Sequence, residues 1–179
     1  KDVRIENNLM IGNTFNVVNA ALAVSGVSGV TFANNTVVGN LPSRAYAFRT
    51  DRKGANPPNQ NVYFYNNIWS DATGTMGADL SGGGAEFSDG DPVDTNNLLL
   101  DNNLYWNGDR AIPPGEVSSP LVDDVHRVIA DPQLNPDQAA IVLPRWNGST
   151  FLSGNTSIRQ EFERLVELYG KPLAHSAAI

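Results

Sequence analysis

The chain has 179 residues, a formal net charge of −7 and no cysteine. Its length suits one domain with a sizeable core. The acidic balance argues against nucleic acid as the main partner, the lack of cysteine excludes disulfides and thiolate metal sites, and no apolar stretch is long enough for a membrane span. The chain opens at Lys1 without a visible signal peptide, so we expect a mature or excised piece of a longer protein.

Four Asn pairs recur along the first 108 residues, each between two short apolar segments. They occupy positions 7–8, 34–35, 66–67 and 102–103, at spacings of 27, 32 and 36 residues. An apolar-x-apolar triplet such as Val30–Phe32 precedes each pair, and this period of two predicts a strand. A second apolar cluster such as Val37–Val38 follows each pair, and residues 19–26 supply a third strand-like piece. The repeating unit is strand, Asn turn, strand, looser turn, strand, which must stack on its copies to bury its apolar face.

These units resemble the right-handed parallel β-helix repeats of the pectate-lyase-like superfamily, over about residues 1–108. The resemblance implies that one Asn of each turn stacks on its equivalents in neighbouring coils, so that the amides satisfy one another. It also implies a secreted or cell-surface protein that acts on polysaccharide, most concretely a polyuronate lyase. The sequence lacks the Asp-His and Arg-x-Pro phrases of well-known pectate lyases and the Asn-Thr-Asp and Gly-His-Gly phrases of polygalacturonases. No catalytic residue of the family is therefore carried over.

The repeat fades beyond Gly108, where a Pro-rich connection leads into a segment that resembles the irregular last coil of β-helix proteins. A helix follows, because five apolar residues form one stripe at helical spacing and Ser157 with Gln160 makes a capping box. The stripe consists of Ile158, Phe162, Leu165, Val166 and Tyr169. We predict one all-β domain, a single-stranded right-handed parallel β-helix with repeat coils over 1–108, an irregular terminal coil over 109–152, and an amphipathic helix cap and tail over 153–179. The helix is expected to cover the exposed end of the β-helix, in preference to binding a partner.

The first candidate site is the basic segment of residues 44–53. In lyases of this fold, the resemblance implies that an Arg or Lys removes the proton next to a uronate carboxylate. Lys53 is the better base, because neighbouring cations lower a lysine pKa, and the Arg residues are the better carboxylate clamps. The predicted catalytic residues are Lys53, Arg52 and Arg49, and the predicted substrate-binding residues are Arg44, Tyr46, Tyr63, Tyr65 and Trp69. A solvated loop whose charges only favour solubility is the alternative.

The second candidate site is acidic. Its carboxylates are Glu86, Asp89, Asp91 and Asp94, which fall within nine residues. Calcium takes six to eight oxygen ligands, so such a cluster could hold Ca²⁺, which in β-helix lyases neutralises the uronate carboxylate. The spacing matches neither an EF-hand nor a calcium β-roll, and an acidic loop without metal is the alternative.

A third candidate combines Asp123, Asp124 and His126. Paired carboxylates can hydrolyse glycosides, but adjacent residues of an extended segment face opposite ways. His126 and His175 could ligate a metal, although two isolated histidines are more often ordinary residues. Three functional hypotheses follow: a secreted polysaccharide lyase or part of one, a non-catalytic glycan-binding module, and a structural surface or assembly module.

Overall fold

The computed structural model describes residues 2–11, 20–39, 46–76, 86–134 and 143–179, with Tyr46 described by its backbone alone. These residues are mostly β. The strands are β1 (Val3–Glu6), β2 (Leu9–Ile11), β3 (Ala20–Ala23), β4 (Ser28–Ala33), β5 (Thr36–Val38), β6 (Tyr46–Arg49), β7 (Asn59–Tyr65), β8 (Ile68–Ser70), β9 (Ser88–Asp89), β10 (Thr95–Asp101), β11 (Leu104–Trp106) and β12 (Val128–Ile129). The helices are α1 (Pro120–Asp123) and α2 (Ile158–Leu165), and a π-helical turn over Val166–Gly170 continues α2.

The strands form three parallel sheets. The first sheet has the order β1-β4-β7-β10, the second β12-β11-β8-β5-β2 and the third β3-β6-β9. Consecutive strands up to β11 therefore enter different sheets, and every third strand returns to the same sheet one position further along. The register preserves the repeat, since Val30 lies beside Val3 and Val62, and Phe32 lies beside Phe64. The strand–turn–strand–turn–strand unit predicted from the Asn pairs is thus the unit that stacks.

The core is built from residues of all three sheets. Phe32 and Phe64 come from the first sheet, Trp69 from the second and Phe48 from the third, and each of these rings is completely buried. Phe48 stacks on Phe64 with ring centroids 4.2 Å apart, and Trp69 lies 5.6 Å from Phe32. Parallel strands place equivalent aromatic positions next to one another, so the rings form a continuous contact along the stack.

The second Asn of each pair belongs to a column, here called the amide column, formed by Asn8, Asn35, Asn67, Asn103 and Asp124, of which all but Asn8 are buried. Each Asn side chain donates from Nδ2 to the side-chain oxygen of the next member, at 2.9, 3.2, 2.9 and 2.8 Å in chain order. That same oxygen also accepts the backbone N–H of the donating residue. The second Nδ2 hydrogen reaches a strand carbonyl, as from Asn67 to Phe32. The side-chain amides and backbone N–H groups of Asn35, Asn67 and Asn103 are thereby satisfied away from water.

The first Asn of each pair has a different task. Asn7, Asn34, Asn66 and Asn102 adopt φ between 55° and 60°, the left-handed conformation that Asn tolerates better than other residues with a side chain. Each pair therefore combines one residue that bends the backbone with one that enters the amide column. The pairs are explained by this geometry and provide no free chemical group.

Helix α2 begins with the predicted capping box, in which Ser157 and Gln160 exchange side-chain to backbone hydrogen bonds. The π-helical turn contacts β2 and β5, and Tyr169 packs with Val38 and Leu134 in a second apolar cluster. Val37 belongs to the main core, so Val38 projects from the opposite, outer face of the second sheet. The predicted end cap is corrected accordingly: the helix covers this outer face, because the apolar side chains projecting from β2 and β5 require burial there.

Within the described ranges, no helix combines the length and the apolar character that a bilayer span requires.

Candidate functional site

The basic and acidic candidate segments meet each other. Strands β6 and β9 are neighbours in the third sheet and align Arg49 with Asp89. Arg49 donates from Nε to Asp89 and from its terminal nitrogen to Asp51 at 2.6 Å, while Arg52 lies 3.2 Å from a carboxylate oxygen of Asp94. We call Arg49, Asp51, Arg52, Asp89 and Asp94 the corner network. Two acids of the later segment thus neutralise two cations of the earlier one.

The corner network changes what its arginines can do. Burial alone would lower the pKa of Arg49, but the charges and hydrogen bonds of Asp89 and Asp51 outweigh it and raise the pKa above its ordinary value. A base must give up its proton readily, so this environment does not favour Arg49 as the base. The predicted catalytic role of Arg49 gains no support from the geometry.

Lys53 is placed differently from the two arginines. Its backbone N–H donates to the Ser25 hydroxyl at 2.9 Å, and its exposed side chain makes no ion pair within the described part of the chain. Beside it lies a small cavity of about 90 Å³, lined by Ala23, Val24, Ser25, Arg49, Asp51 and Lys53. Lys53 therefore remains available to an anionic ligand at this cavity.

The four acids predicted to bind calcium do not form a cluster. Asp89 and Asp94 belong to the corner network, and Asp91 accepts the Val93 N–H at 3.0 Å at the start of a short 3₁₀ turn. The pKa of Glu86 is raised by burial first and then by the charges of Glu116 and Asp89. Among the residues that can be described, no group of three or more potential ligands could hold a metal ion. Calcium binding by these acids stays a prediction.

The outer face of the first sheet presents a second polar surface. Val62 and Phe64 of β7 are fully buried, whereas Tyr63 and Tyr65 are partly exposed, so the two tyrosines share the outward face. Asn97 of β10 donates from Nδ2 to Asn61 at 2.7 Å and to the Tyr63 hydroxyl at 2.9 Å. A shallow hollow of about 330 Å³ continues this face, lined by Asp2, Arg4, Ser28, Gly29, Val30, Thr31, Asn61 and Tyr63. We call Arg4, Asn61, Tyr63, Tyr65 and Asn97 the polar face.

An acid and a histidine stand beside the polar face. Asp101 lies next to Tyr65 in the sheet register, and its carboxylate is 2.7 Å from Nδ1 of the exposed His126. Asn102 donates to the other oxygen of Asp101 at 2.9 Å. His126 is thus paired with Asp101 and not with the acids predicted beside it. The repeat alignment itself places Asp101 across from Tyr65, a signal that the sequence contains.

The two adjacent acids of the third candidate lie in separate environments. Asp124 is buried at the end of the amide column, where it also accepts the Tyr105 hydroxyl at 3.0 Å. Burial and the negative charge of Asp124 raise the pKa of Tyr105. Asp123 instead accepts from the Ser118 hydroxyl and the Ser119 N–H. They do not flank one open site, as the sequence argument about adjacent residues anticipates.

Three of the predicted substrate-binding side chains lie either in the core or outside the described part of the structure. Trp69 is fully buried against Phe32 and Phe87, so its predicted contact with substrate is corrected: its ring is part of the core and cannot reach a ligand. Arg44 lies outside the described residues, as does the side chain of Tyr46. Tyr63 and Tyr65 remain as the aromatic candidates.

Comparisons with known proteins add no family to this description. No protein-family model matches the chain, and no curated protein and no solved structure shows significant similarity to it. The function of the chain is therefore inferred from its own residues.

Proposed function

We propose that the chain is a right-handed parallel β-helix module of a secreted or cell-surface protein, and that it binds polysaccharide along the polar face. The fold part of the proposal is supported by the return of every third strand to the same sheet and by the amide column. Helix α2 and the π-helical turn that continues it then cover the outer face of the second sheet. A rigid stack of parallel strands offers an extended surface whose length suits a chain-like ligand.

The observation that carries the binding proposal is the arrangement of Tyr63 and Tyr65 on β7, with amides of Asn61 and Asn97 beside them. Tyrosine combines an apolar ring face with a polar hydroxyl, which suits the mixed faces of a sugar ring. Amide side chains both donate and accept, and so match hydroxyl groups. Ligand sites typically pair apolar and aromatic surface with a few fixed polar groups.

The test is binding of the chain to a panel of polyuronates and neutral polysaccharides, measured by affinity electrophoresis and calorimetry. Replacing both tyrosines, Tyr63→Ala with Tyr65→Ala, is expected to weaken binding about tenfold or more, which corresponds to roughly 1.4 kcal/mol. Val93→Ala is the control, because it removes an exposed apolar side chain outside the polar face and should leave affinity unchanged. Equal affinity of wild type and the double variant, or no binding to any polysaccharide, would sink the proposal.

A lyase at the small cavity beside Lys53 is the second candidate, favoured by a Lys53 side chain that makes no ion pair with the described residues and lies beside Arg49 and Asp51. The neutral lysine would remove the proton next to the uronate carboxylate. The electron pair would form a carbon–carbon double bond and expel the glycosidic oxygen, which would take a proton from water. Incubation with polyuronates, with Ca²⁺ or chelator, should then produce ultraviolet absorbance that disappears in Lys53→Ala. Absorbance that persists in Lys53→Ala assigns the base elsewhere, and binding without turnover leaves the non-catalytic module.

A further inference from the structure

The apolar stripe of the C-terminal helix is split between two sides. Leu165 and Tyr169 are buried against the second sheet, whereas Ile158, Phe162 and Val166 are 65%, 60% and 51% exposed. The exposed residues are spaced four apart, so they form a continuous row along the outside of α2. The sheet therefore accounts for only two of the five residues of the stripe that the sequence encodes.

This row continues into a second exposed apolar group. Trp146 and Phe151 contact each other edge to face with ring centroids 5.1 Å apart, and Trp146 is half exposed. These rings and Ile158 line a hollow of about 300 Å³, while Ile158, Phe162 and Val166 form an open apolar surface along the helix. We call Trp146, Phe151, Ile158, Phe162 and Val166 the apolar face. Contiguous exposed apolar patches of this kind mark interaction surfaces.

The charged residues beside the apolar row follow a defined order along the helix. Arg159 lies near the start of α2, and Glu163 and Glu167 lie further along the same side of the apolar row. Arg159 pairs with Glu163 at 3.0 Å, and Lys171 pairs with Glu167 at 3.1 Å. Both pairs are exposed and so worth little by themselves. Their side chains can exchange partners when another surface approaches.

We propose that the apolar face binds a second copy of this chain, with the two α2 helices antiparallel about a two-fold axis near Phe162. A two-fold interface uses the same patch on both copies. Antiparallel pairing brings Ile158 of each copy against Val166 of the other, and Arg159 beside the Glu167 of the other copy. Each Arg159 also keeps its own Glu163 as a partner, which offsets the approach of the two Glu163 side chains at the axis. Antiparallel packing also opposes the dipoles of the two helices, whereas parallel packing would align them.

Other occupants fit the apolar face less well. Anionic membrane surfaces attract helices rich in Lys and Arg, whereas this surface carries two glutamates and one arginine on a chain of net charge −7. A polysaccharide requires hydrogen-bonding groups among the contacts, and Ile158, Phe162 and Val166 provide none. A second copy satisfies both the apolar row and the charge order.

The first test measures the mass of the chain by sedimentation equilibrium over a range of concentrations. The wild type should approach twice the mass of one chain, and Phe162→Glu should raise the dimer dissociation constant about 100-fold or more. Phe162→Leu, which keeps an apolar side chain, should retain the dimer. Val122→Glu is the matched control, since it changes an exposed apolar residue outside the apolar face. Circular dichroism checks that all variants fold.

The second test establishes the antiparallel geometry. Arg159→Glu and Glu167→Arg should each weaken self-association, because each creates two like-charge contacts across the axis. An equal mixture of the two variants should form a mixed dimer, since both contacts then join opposite charges. Because the chain has no cysteine, Phe162→Cys should also form a disulfide-linked dimer under oxidation, whereas Ser149→Cys should not.

Three outcomes overturn the proposal. These are a wild type that stays monomeric at high concentration, a dimer that Phe162→Glu leaves intact, and a mixture of the charge variants that associates no better than either alone. Binding to vesicles of phosphatidylglycerol and phosphatidylcholine that Phe162→Glu abolishes, without any dimer, would assign the face to a membrane surface instead. None of these results depends on polysaccharide binding, so the proposed function is tested separately.

Discussion

The strands of residues 2–106 and the C-terminal segment of residues 143–171 satisfy their polar groups in opposite ways. Among the strands, hydrogen bonds join residues about 30 positions apart, as between Asn35 and Asn67. In the C-terminal segment they join near neighbours, as between Ser157 and Gln160 or between Glu161 and Arg164. The first arrangement requires the whole stack, whereas the second forms within one short stretch of chain.

The two regions also differ in how completely they bury their apolar residues. Phe32, Phe64 and Trp69 are fully enclosed, because strands from three sheets contribute to one core. Helix α2 has a single neighbouring surface, and Phe162 remains outside it. The strands bury their apolar residues within the chain itself. Helix α2 carries more apolar residues than its one neighbouring sheet can cover, which points to a further contact at the exposed ones.

The largest effect is expected from breaking the amide column. Asn35→Ala removes the acceptor of Asn8 and the donors to Ile5 and Asn67. It should lower the free energy of unfolding by about 1–3 kcal/mol, the cost of buried polar groups without partners. Urea denaturation measures the loss.

Asn34 provides the matched control for this prediction. It is exposed and has φ of 55°, a conformation that glycine adopts without strain. Asn34→Gly should therefore change the free energy of unfolding by less than about 0.5 kcal/mol. Equal losses for the two variants would show that the column contributes no more than the turn itself.

The Asn pairs predict much of the fold because their two residues repeat with the strands. The pairs do not predict which Asn bends the backbone and which enters the amide column. Either Asn tolerates the left-handed conformation, and either carries a side-chain amide. Only the direction of the backbone at the turn makes Asn35 point inward and Asn34 outward. Asn61 and Asn97 also adopt left-handed backbone, and they escape notice because no Asn repeats at that position in β4, where Gly29 stands.

The candidate site is less accessible from sequence for a similar reason. The basic segment near Arg49 and the acidic segment near Asp89 read as separate sites, because their 40-residue separation hides the strand register that pairs them. From the sequence, Trp69 is interpreted as a binding residue because it lies close to Tyr65 in the chain. It belongs to the next strand, β8, and its side chain faces the core. Charge and aromatic content were visible in the sequence; the direction of each side chain depends on register.

A smaller and pH-dependent effect is expected in the C-terminal segment. Hydrogen bonds from Arg164, opposed by burial and reinforced by Ser153 and Asn155, lower the pKa of Glu161 from 4.5 to about 2. A lowered carboxyl pKa means that the unfolded chain binds a proton first, so this contribution is full above pH 4.5 and is lost as the pH falls towards 2. Glu161→Gln should reduce stability by about 1–2 kcal/mol at neutral pH.

Tryptophan fluorescence of Trp146 can follow this segment, provided that Trp69 and Trp106 are replaced by Phe in both the reference and the variant. The reference should lose its local structure as the pH falls from 4.5 to 2, whereas Glu161→Gln should show a flatter profile over that range. Glu163→Gln is the matched control, because Glu163 lies on the exposed side of the same helix. An unchanged pH profile in Glu161→Gln would contradict the assignment.

The smallest effect is expected where the stack carries exposed charge. The side chain of Arg52 is 45% exposed and pairs with Asp94, so Arg52→Ala should cost at most about 1 kcal/mol and less at high salt. Arg49, less exposed and held by both Asp51 and Asp89, should cost more when replaced by Ala, because two carboxylates then lose one cation. Urea denaturation at low and high salt separates the two variants. If Arg52→Ala instead destabilised the chain as much as Asn35→Ala, the strands would depend on their charged edge as strongly as on the amide column, and the contrast with the locally bonded C-terminal segment would fail.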